Sequence, residues 1–134
     1  VLVGSREFIR KARRLRKMLG GGMRQAGILA AAGLIALEEM ALRLDEDHAT
    51  ARRFAEAIAD LPQFELVSPV YTNIVYLRVK PDAGFTAPEL SAALLKHKIK
   101  LLAMDDQYIR VATHYWIRAE HVDQVIDAIK KELL

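Results

Sequence analysis

The residue pattern changes from helical to extended at residues 62–67, Pro62-Gln63-Phe64-Glu65-Leu66-Val67, and the run from Thr72 to Val79 continues the extended pattern. Pro62 marks the end of a helix, because the residue before a proline is biased away from helical geometry. The two runs that follow are rich in apolar and β-branched residues, which is typical of strands. The sequence therefore predicts two strands, Phe64–Val67 and Thr72–Val79, as the start of a sheet.

The residues after this point alternate between helical and extended patterns. Thr86-Ala87-Pro88-Glu89 is a capping box with a proline in the first turn, so we expect a helix through about His97. Short strands are predicted at Ile99–Ala103 and Tyr108–Val111, and a last helix at Ala119–Leu133. The order β-β-α-β-β-α predicts a small α+β domain, with helices on one face of a largely antiparallel sheet.

Two helices are predicted before the sheet. Ser5 is a candidate N-cap for a basic amphipathic helix over Ser5–Leu19, and the three glycines 20–22 end it because they lose too much backbone entropy in a helix. A second, much longer helix is expected from residue 23 or 24 to Leu61. Its first half, residues 26–33, is small and apolar, so we expect it to be buried on most sides.

Composition excludes several classes of protein. The 134 residues are 52% hydrophobic and 28% charged, which describes a globular chain and not a disordered one. The chain has no cysteine, so disulfides and thiolate chemistry are excluded, and its four histidines show no close metal-ligand spacing, so no metal is expected. The most apolar run, Ala26–Leu37, is too short to cross a bilayer, which needs about 20 apolar residues. We expect a cytoplasmic protein without a membrane partner.

Positive charge is concentrated at the start of the chain. Residues 1–24 carry eight basic side chains and one acidic side chain, whereas the whole chain has a net charge of +3. This asymmetry leaves open an anionic partner for the basic helix, either a nucleic acid or a membrane surface. Phe8 is the only aromatic residue of that helix and no nucleic-acid module follows, so nucleic-acid binding is not expected.

Three stretches carry a resemblance to a known family. The first is Lys17-Met18-Leu19-Gly20-Gly21-Gly22-Met23-Arg24-Gln25-Ala26-Gly27, and the others are Asp45-Glu46-Asp47-His48 and Ile109-Arg110-Val111-Ala112-Thr113-His114. In this order they resemble the low-specificity L-threonine aldolases, which belong with the beta-eliminating lyases among the fold-type-I pyridoxal-phosphate (PLP) enzymes. The first string is highly specific, and the other two would be weak alone.

The resemblance implies a fold, a reaction and an assembly. Residues 1–37 would end a large cofactor domain, and residues 38–134 would form the small C-terminal domain. Such enzymes cleave L-threonine or L-allo-threonine to glycine and acetaldehyde, with pyridoxal 5'-phosphate as the electron sink. They assemble as dimers or tetramers whose active sites lie at subunit interfaces.

The resemblance also assigns roles to three cationic side chains. Arg110 would hold the α-carboxylate of the β-hydroxy amino acid substrate, a task suited to a planar guanidinium. Arg24 would approach the cofactor phosphate or the carboxylate region, in its own or the neighbouring subunit. Lys17 would be a catalytic residue that positions water or the hydroxyl end of the substrate. The plain alternative for each is a solvated surface cation. His48 and His114 are expected to be structural.

One expected residue is missing. In the family, the lysine that binds the cofactor covalently lies upstream of the residues that match Val1–Gly4, and Lys17 aligns with a different lysine. We therefore expect this chain to be a C-terminal portion that needs the missing N-terminal cofactor domain and is inactive alone. The alternative is a non-catalytic α+β interaction domain whose basic helix binds an anionic partner and whose apolar stretch, Ala26–Leu37, drives self-association.

Overall fold

The computed structural model describes residues 1–133 and shows two compact units, residues 1–41 and the part of the chain from Leu42 onward. The first unit begins with helix α1, Arg6–Met18. As predicted, Ser5 caps this helix: its hydroxyl oxygen accepts a hydrogen bond from the Phe8 amide at 3.2 Å. Helix α2, Gly27–Ile35, follows after a glycine-rich loop.

The sequence predicts one long second helix, but the structure shows a later start, a π-helical turn and a 3-10 turn. Helix α2 begins at Gly27, because Gln25 adopts a left-handed backbone conformation with φ 51°. After α2 the chain forms a π-helical turn, Ala36–Met40, then a 3-10 turn, Ala41–Arg43, before α3, Leu44–Ala59. Such turns keep residues helical while changing the residues per turn, so apolar periodicity does not reveal them.

The expected burial of residues 26–33 is also not observed. Ile28 is 77% exposed and Leu29 is 63% exposed, and no residue of α2 is buried. The apolar composition of this helix is therefore an exposed apolar surface. Among residues 1–133, each helix is too short or too polar to cross a membrane.

The second unit contains a four-stranded sheet with the order β1-β2-β4-β3, in which every neighbouring pair is antiparallel. The strands are β1 Phe64–Leu66, β2 Ile74–Val79, β3 Leu102–Ala103 and β4 Tyr108–Ala112. Each strand begins and ends within three residues of its predicted bounds. The two central strands are long, and the edge strands are short.

The remaining helices also lie where the sequence predicts them. Helix α4, Ala87–Leu94, has both hydrogen bonds of the capping box between Thr86 and Glu89 and continues as a 3-10 turn, Leu95–His97. Helix α5, Ala119–Leu133, carries the last apolar stripe.

Helices α3, α4 and α5 cover one face of the sheet. Strand β2 alternates between buried and more exposed residues, with Val75, Leu77 and Val79 in the core. Phe54 and Ile58 from α3, with Ile129 from α5, pack in the same cluster. The other face has no such cover within residues 42–133, as the partly exposed Ile74 and Tyr76 indicate. The α+β class predicted from the sequence is confirmed.

Candidate functional site

Arg110 lies on the open face of the sheet. In strand β4, Arg110 is directly opposite Tyr76 of β2 on one side and Leu102 of β3 on the other. Directly opposed residues of antiparallel strands project to the same face, so a tyrosine and a leucine flank the arginine. Tyr76 is 36% exposed and Leu102 is 52% exposed. The Arg110 side chain therefore projects from a central strand between two largely apolar neighbours.

The Arg110 guanidinium keeps its capacity for an external anion. Within residues 42–133, no carboxylate oxygen lies within 4.0 Å of it. A guanidinium offers parallel N–H donors that match a carboxylate in a bidentate geometry. An exposed arginine on a central strand is suited to binding a small carboxylate.

The end of strand β4 is fastened by a buried polar contact. The Thr113 amide donates to the Asn73 carbonyl at 2.9 Å, and the Asn73 side-chain amide donates to the Thr113 carbonyl at 2.7 Å. The Thr113 hydroxyl donates to the Asp47 carbonyl oxygen in α3 at 2.6 Å. Thr113 is 1% exposed and Asp47 is 5% exposed. Two of the three stretches that carry the family resemblance therefore touch each other here.

Arg43 completes this contact and was not identified from the sequence. Its guanidinium donates to Asp47 at 3.0 Å and to Glu46 at 2.9 Å, and it lies 4.8 Å from the centre of the Tyr115 ring. Hydrogen bonds to Glu46 and then to Asp47 raise the pKa of Arg43 above its ordinary value. The only signal in the sequence is the i, i+3 and i, i+4 spacing of opposite charges.

The two histidines singled out from the sequence lie near this contact. His114 is exposed, and its Nδ1 atom accepts a 3.3 Å hydrogen bond from the Trp116 amide. His48 is partly buried, with Nδ1 3.9 Å from an Asp45 oxygen. Within residues 1–133, no three histidine, aspartate or glutamate side chains cluster closely enough to hold a metal ion.

Lys17 is placed by the way helix α1 ends. Gly20 has φ 80°, its amide donates to the Lys17 carbonyl at 3.2 Å, and the Gly21 amide donates to the Arg16 carbonyl at 2.8 Å. These two bonds form a Schellman motif, which needs a residue that tolerates left-handed geometry. A Cβ atom on Gly22 would meet the Lys17 side chain at 3.0 Å. The glycines thus let the Lys17 side chain fold over the loop.

Arg24 lies in a bend of the first unit and is exposed. The sequence predicted it at the start of a helix, and this is wrong: α2 begins three residues later, after the left-handed Gln25. Lys17 and Arg24 belong to residues 1–41 and Arg110 belongs to the second unit. That the three contribute to one site stays a prediction.

Comparisons with known proteins identify the family. The family model described as beta-eliminating lyase matches residues 1–82, more than half of the chain. This chain belongs to the beta-eliminating lyase family. It is 39% identical over 132 residues to a probable low-specificity L-threonine aldolase 2 of Arabidopsis thaliana, with 98% of this chain and 37% of that protein covered. It is 38% identical over 125 residues to the low specificity L-threonine aldolase of Escherichia coli K12, with 93% and 35% covered.

The family assignment confirms the resemblance on which the sequence interpretation depends. The chain spans somewhat over a third of the length of these relatives. Among solved structures, a NifS-like protein matches with a TM-score of 0.64 and 16% identity, over 74% of this chain and 30% of that one. A rice (Oryza sativa) TDC solved with PLP and tryptamine matches with a TM-score of 0.57 and 22% identity, over 67% and 22%. These likenesses concern the fold alone, which this chain shares with parts of both structures.

Proposed function

We propose that this chain is the C-terminal part of a PLP-dependent L-threonine aldolase, which cleaves L-threonine or L-allo-threonine to glycine and acetaldehyde. The names of the relatives support the reaction, and their greater length supports a larger parent protein with a separate cofactor domain. The same proposal includes assembly of that parent into a dimer or tetramer. The observation that carries it is the exposed Arg110 guanidinium on a rigid strand.

Arg110 would bind the α-carboxylate of the substrate. Its two cross-strand neighbours, Tyr76 and Leu102, limit the directions from which a ligand can approach. A bidentate carboxylate contact would then fix the orientation of the amino acid about its Cα atom. With the carboxylate bound to Arg110, the position of the Cα–Cβ bond depends on the rest of the site.

The chemistry of the donor groups in the first unit fits an anionic cofactor. Within residues 1–41, Lys11 and Glu7 form an ion pair at 2.8 Å, whereas Arg24 and Lys17 have no carboxylate oxygen within 4.0 Å. Arg24 would hold the phosphate of PLP, and Lys17 would hold water or the hydroxyl end of the substrate. When bound, PLP accepts the electron pair released as the Cα–Cβ bond breaks.

The reaction is tested on the full-length protein that contains this chain. L-Threonine cleavage is followed by coupling acetaldehyde to NADH oxidation with alcohol dehydrogenase. Arg110→Gln should raise KM for L-threonine by about tenfold or more, because a charge-assisted hydrogen bond contributes about 1.5–3 kcal/mol. Arg52→Gln on α3 is the matched control and should leave KM unchanged. A full-length protein that releases no acetaldehyde would refute the proposed reaction, and an unchanged KM in Arg110→Gln would refute the carboxylate role alone.

The isolated chain offers a second test. We expect that it forms no covalent adduct with PLP, because the cofactor-binding lysine of the family lies upstream of its residues. Adding PLP should therefore give no saturable absorbance band and no stoichiometric mass increase at a single lysine after borohydride reduction. A stoichiometric band, abolished by Lys17→Met, would show that Lys17 has taken the role assigned to the missing lysine.

A second candidate function is a non-catalytic domain whose basic helix binds an anionic partner. The observation that favours it is the exposure of α1. No residue of this helix is buried, and the helix carries seven basic side chains. Binding to a labelled oligonucleotide at 50 and 200 mM salt is the test. Submicromolar affinity with a steep loss at higher salt would support this candidate over the aldolase proposal.

A further inference from the structure

A groove runs along the outer edge of strand β4. The pairing of β3 with β4 stops at Leu102 opposite Arg110, and the chain before Leu102 diverges from the strand. Val111 and Ala112 therefore have no β3 partner along this edge. The opening between this edge, the segment 97–101 and helix α5 encloses about 580 Å³. Sites that bind small organic molecules have volumes of about 300–1,000 Å³, so the groove is of a suitable size.

The floor of the groove is aliphatic. Ile99, Leu101, Val111 and Val125 line it, and each of them is partly buried against the main core. These side chains come from three different elements that the core holds in place: the segment before β3, strand β4 and helix α5. The floor is therefore a preformed apolar surface and needs no rearrangement to accept an apolar ligand.

The rim of the groove is cationic. Lys98 and Lys100 line it, and within residues 42–133 neither of them lies within 4.0 Å of a carboxylate oxygen. Among those residues no aspartate or glutamate lines the groove. The unit as a whole is mildly acidic, with twelve basic and fourteen acidic side chains from Leu42 onward. A rim with two unpaired cations is thus a local departure from the charge of the unit.

We propose that this groove binds a small amphiphilic carboxylate, an anion with an aliphatic tail. The tail would lie on the aliphatic floor, and the carboxylate would meet Lys98 and Lys100 at the rim. This site is distinct from the aldolase chemistry proposed above, because the Arg110 side chain projects to the open face of the sheet and Val111, the next residue, projects to the face covered by the helices.

The probe for the test is sodium octanoate, added below its micelle concentration to the isotope-labelled 134-residue chain. Amide shifts should saturate and centre on Ile99, Leu101, Val111 and Val125. Octan-1-ol and octylamine have the same tail without the negative charge and should bind at least fivefold more weakly. Acetate has the charge without the tail and should show no saturation. Equal binding of the three eight-carbon probes, or shifts centred on the exposed α2 residues Ile28 and Leu29, would overturn the proposal.

A pair of variants tests the rim. Lys98→Gln together with Lys100→Gln should weaken octanoate binding about fivefold, because each exposed charge contact contributes only modestly. The control is Lys80→Gln together with Lys130→Gln, which removes the same charge from side chains that do not line the groove and should leave the affinity unchanged. Equal weakening in both variants would mean that net charge, and not the rim, attracts the anion. Arg110 is left unaltered, and no PLP is added, so the outcome does not depend on the proposed enzymatic function.

Discussion

The Thr113 hydroxyl donates a 2.6 Å hydrogen bond to the backbone carbonyl of Asp47, and this bond joins the end of strand β4 to the first turn of helix α3. The two residues are 66 positions apart in the chain, and both are buried. Because Thr113 directly follows strand β4, which carries Arg110 three residues earlier, the contact fastens the strand of the proposed substrate-binding arginine.

Replacing Thr113 with valine keeps the shape of the side chain and removes the donor. The Asp47 carbonyl would lose its buried partner, so Thr113→Val should lower the free energy of unfolding by about 1–3 kcal/mol. Thr50→Val is a matched control, because the Thr50 hydroxyl donates to the Glu46 carbonyl at 2.9 Å in an exposed position. The control should cost about 0.5 kcal/mol or less. Urea unfolding followed by circular dichroism measures both, and equal losses would contradict the importance given to burial.

The ion pair between Arg43 and Asp47 should matter more than its surface counterparts. The Asp47 side chain is 7% exposed, so Arg43→Met would leave a buried carboxylate without its cation. We expect Arg43→Met to lower the free energy of unfolding more than a variant of an exposed ion pair does, because it leaves the nearly buried Asp47 carboxylate without its cation. Arg53→Met breaks the exposed pair with Asp123, whose side chains are 53% and 55% exposed, and should cost about 1 kcal/mol or less. A larger loss in Arg53→Met than in Arg43→Met would refute this ranking.

Local signals in the sequence predicted the parts of the fold whose causes are local. The capping box Thr86–Glu89 and the alternation in Ile74–Val79 fixed a helix start and a strand because neighbouring residues make those interactions. The contact of Thr113 with Asp47 could not be predicted in the same way, since it depends on two segments meeting after the sheet has formed. Arg43 was missed for a related reason. It matters because it pairs with the buried Asp47, and the burial of a polar residue leaves no pattern in the sequence.

The glycine turn and the cationic candidates show the same difference between features with a local signal in the sequence and features without one. Three consecutive glycines predicted the end of α1, but the left-handed Gln25 that delays α2 has no comparable signal. As a result, Arg24 lies in a bend and not at a helix start. Arg110 was placed on a strand correctly, because its neighbours Ile109 and Val111 have the alternating pattern of β4.

Two carboxyl groups with lowered pKa values should make stability depend on acid pH. Hydrogen bonds from the Thr86 backbone and hydroxyl lower the pKa of Glu89, and contacts with Lys96 and then His97 lower the pKa of Glu132. Because each folded-state pKa lies below the ordinary value of 4.5, the unfolded chain takes up protons first as the pH falls. The contribution of both groups is thus fully present above the ordinary value and is lost as the pH falls through the lowered values.

The measurement is urea unfolding at pH 7, 5, 4 and 3. The unaltered chain should lose stability below about pH 5, where carboxyl groups of the unfolded chain begin to protonate. Glu89→Gln combined with Glu132→Gln should start from a lower stability at pH 7 and show a shallower decline. A double variant whose stability falls in parallel with that of the unaltered chain would show that these two contacts do not cause the acid sensitivity.

Two glycines of the first unit should respond to alanine in opposite directions. Gly20 has φ 80° at the end of α1, so Gly20→Ala should destabilise the last turn by about 1 kcal/mol, since an L-residue resists left-handed geometry. Gly33 lies inside α2, and a Cβ atom there would meet nothing within 4 Å, so Gly33→Ala should stabilise that helix by about 0.5–1 kcal/mol. Carbon chemical shifts of α1 and α2, measured by NMR for each variant, report the helical population residue by residue. If Gly20→Ala left the shifts of Arg16, Lys17 and Met18 unchanged, the left-handed turn would not be what ends α1.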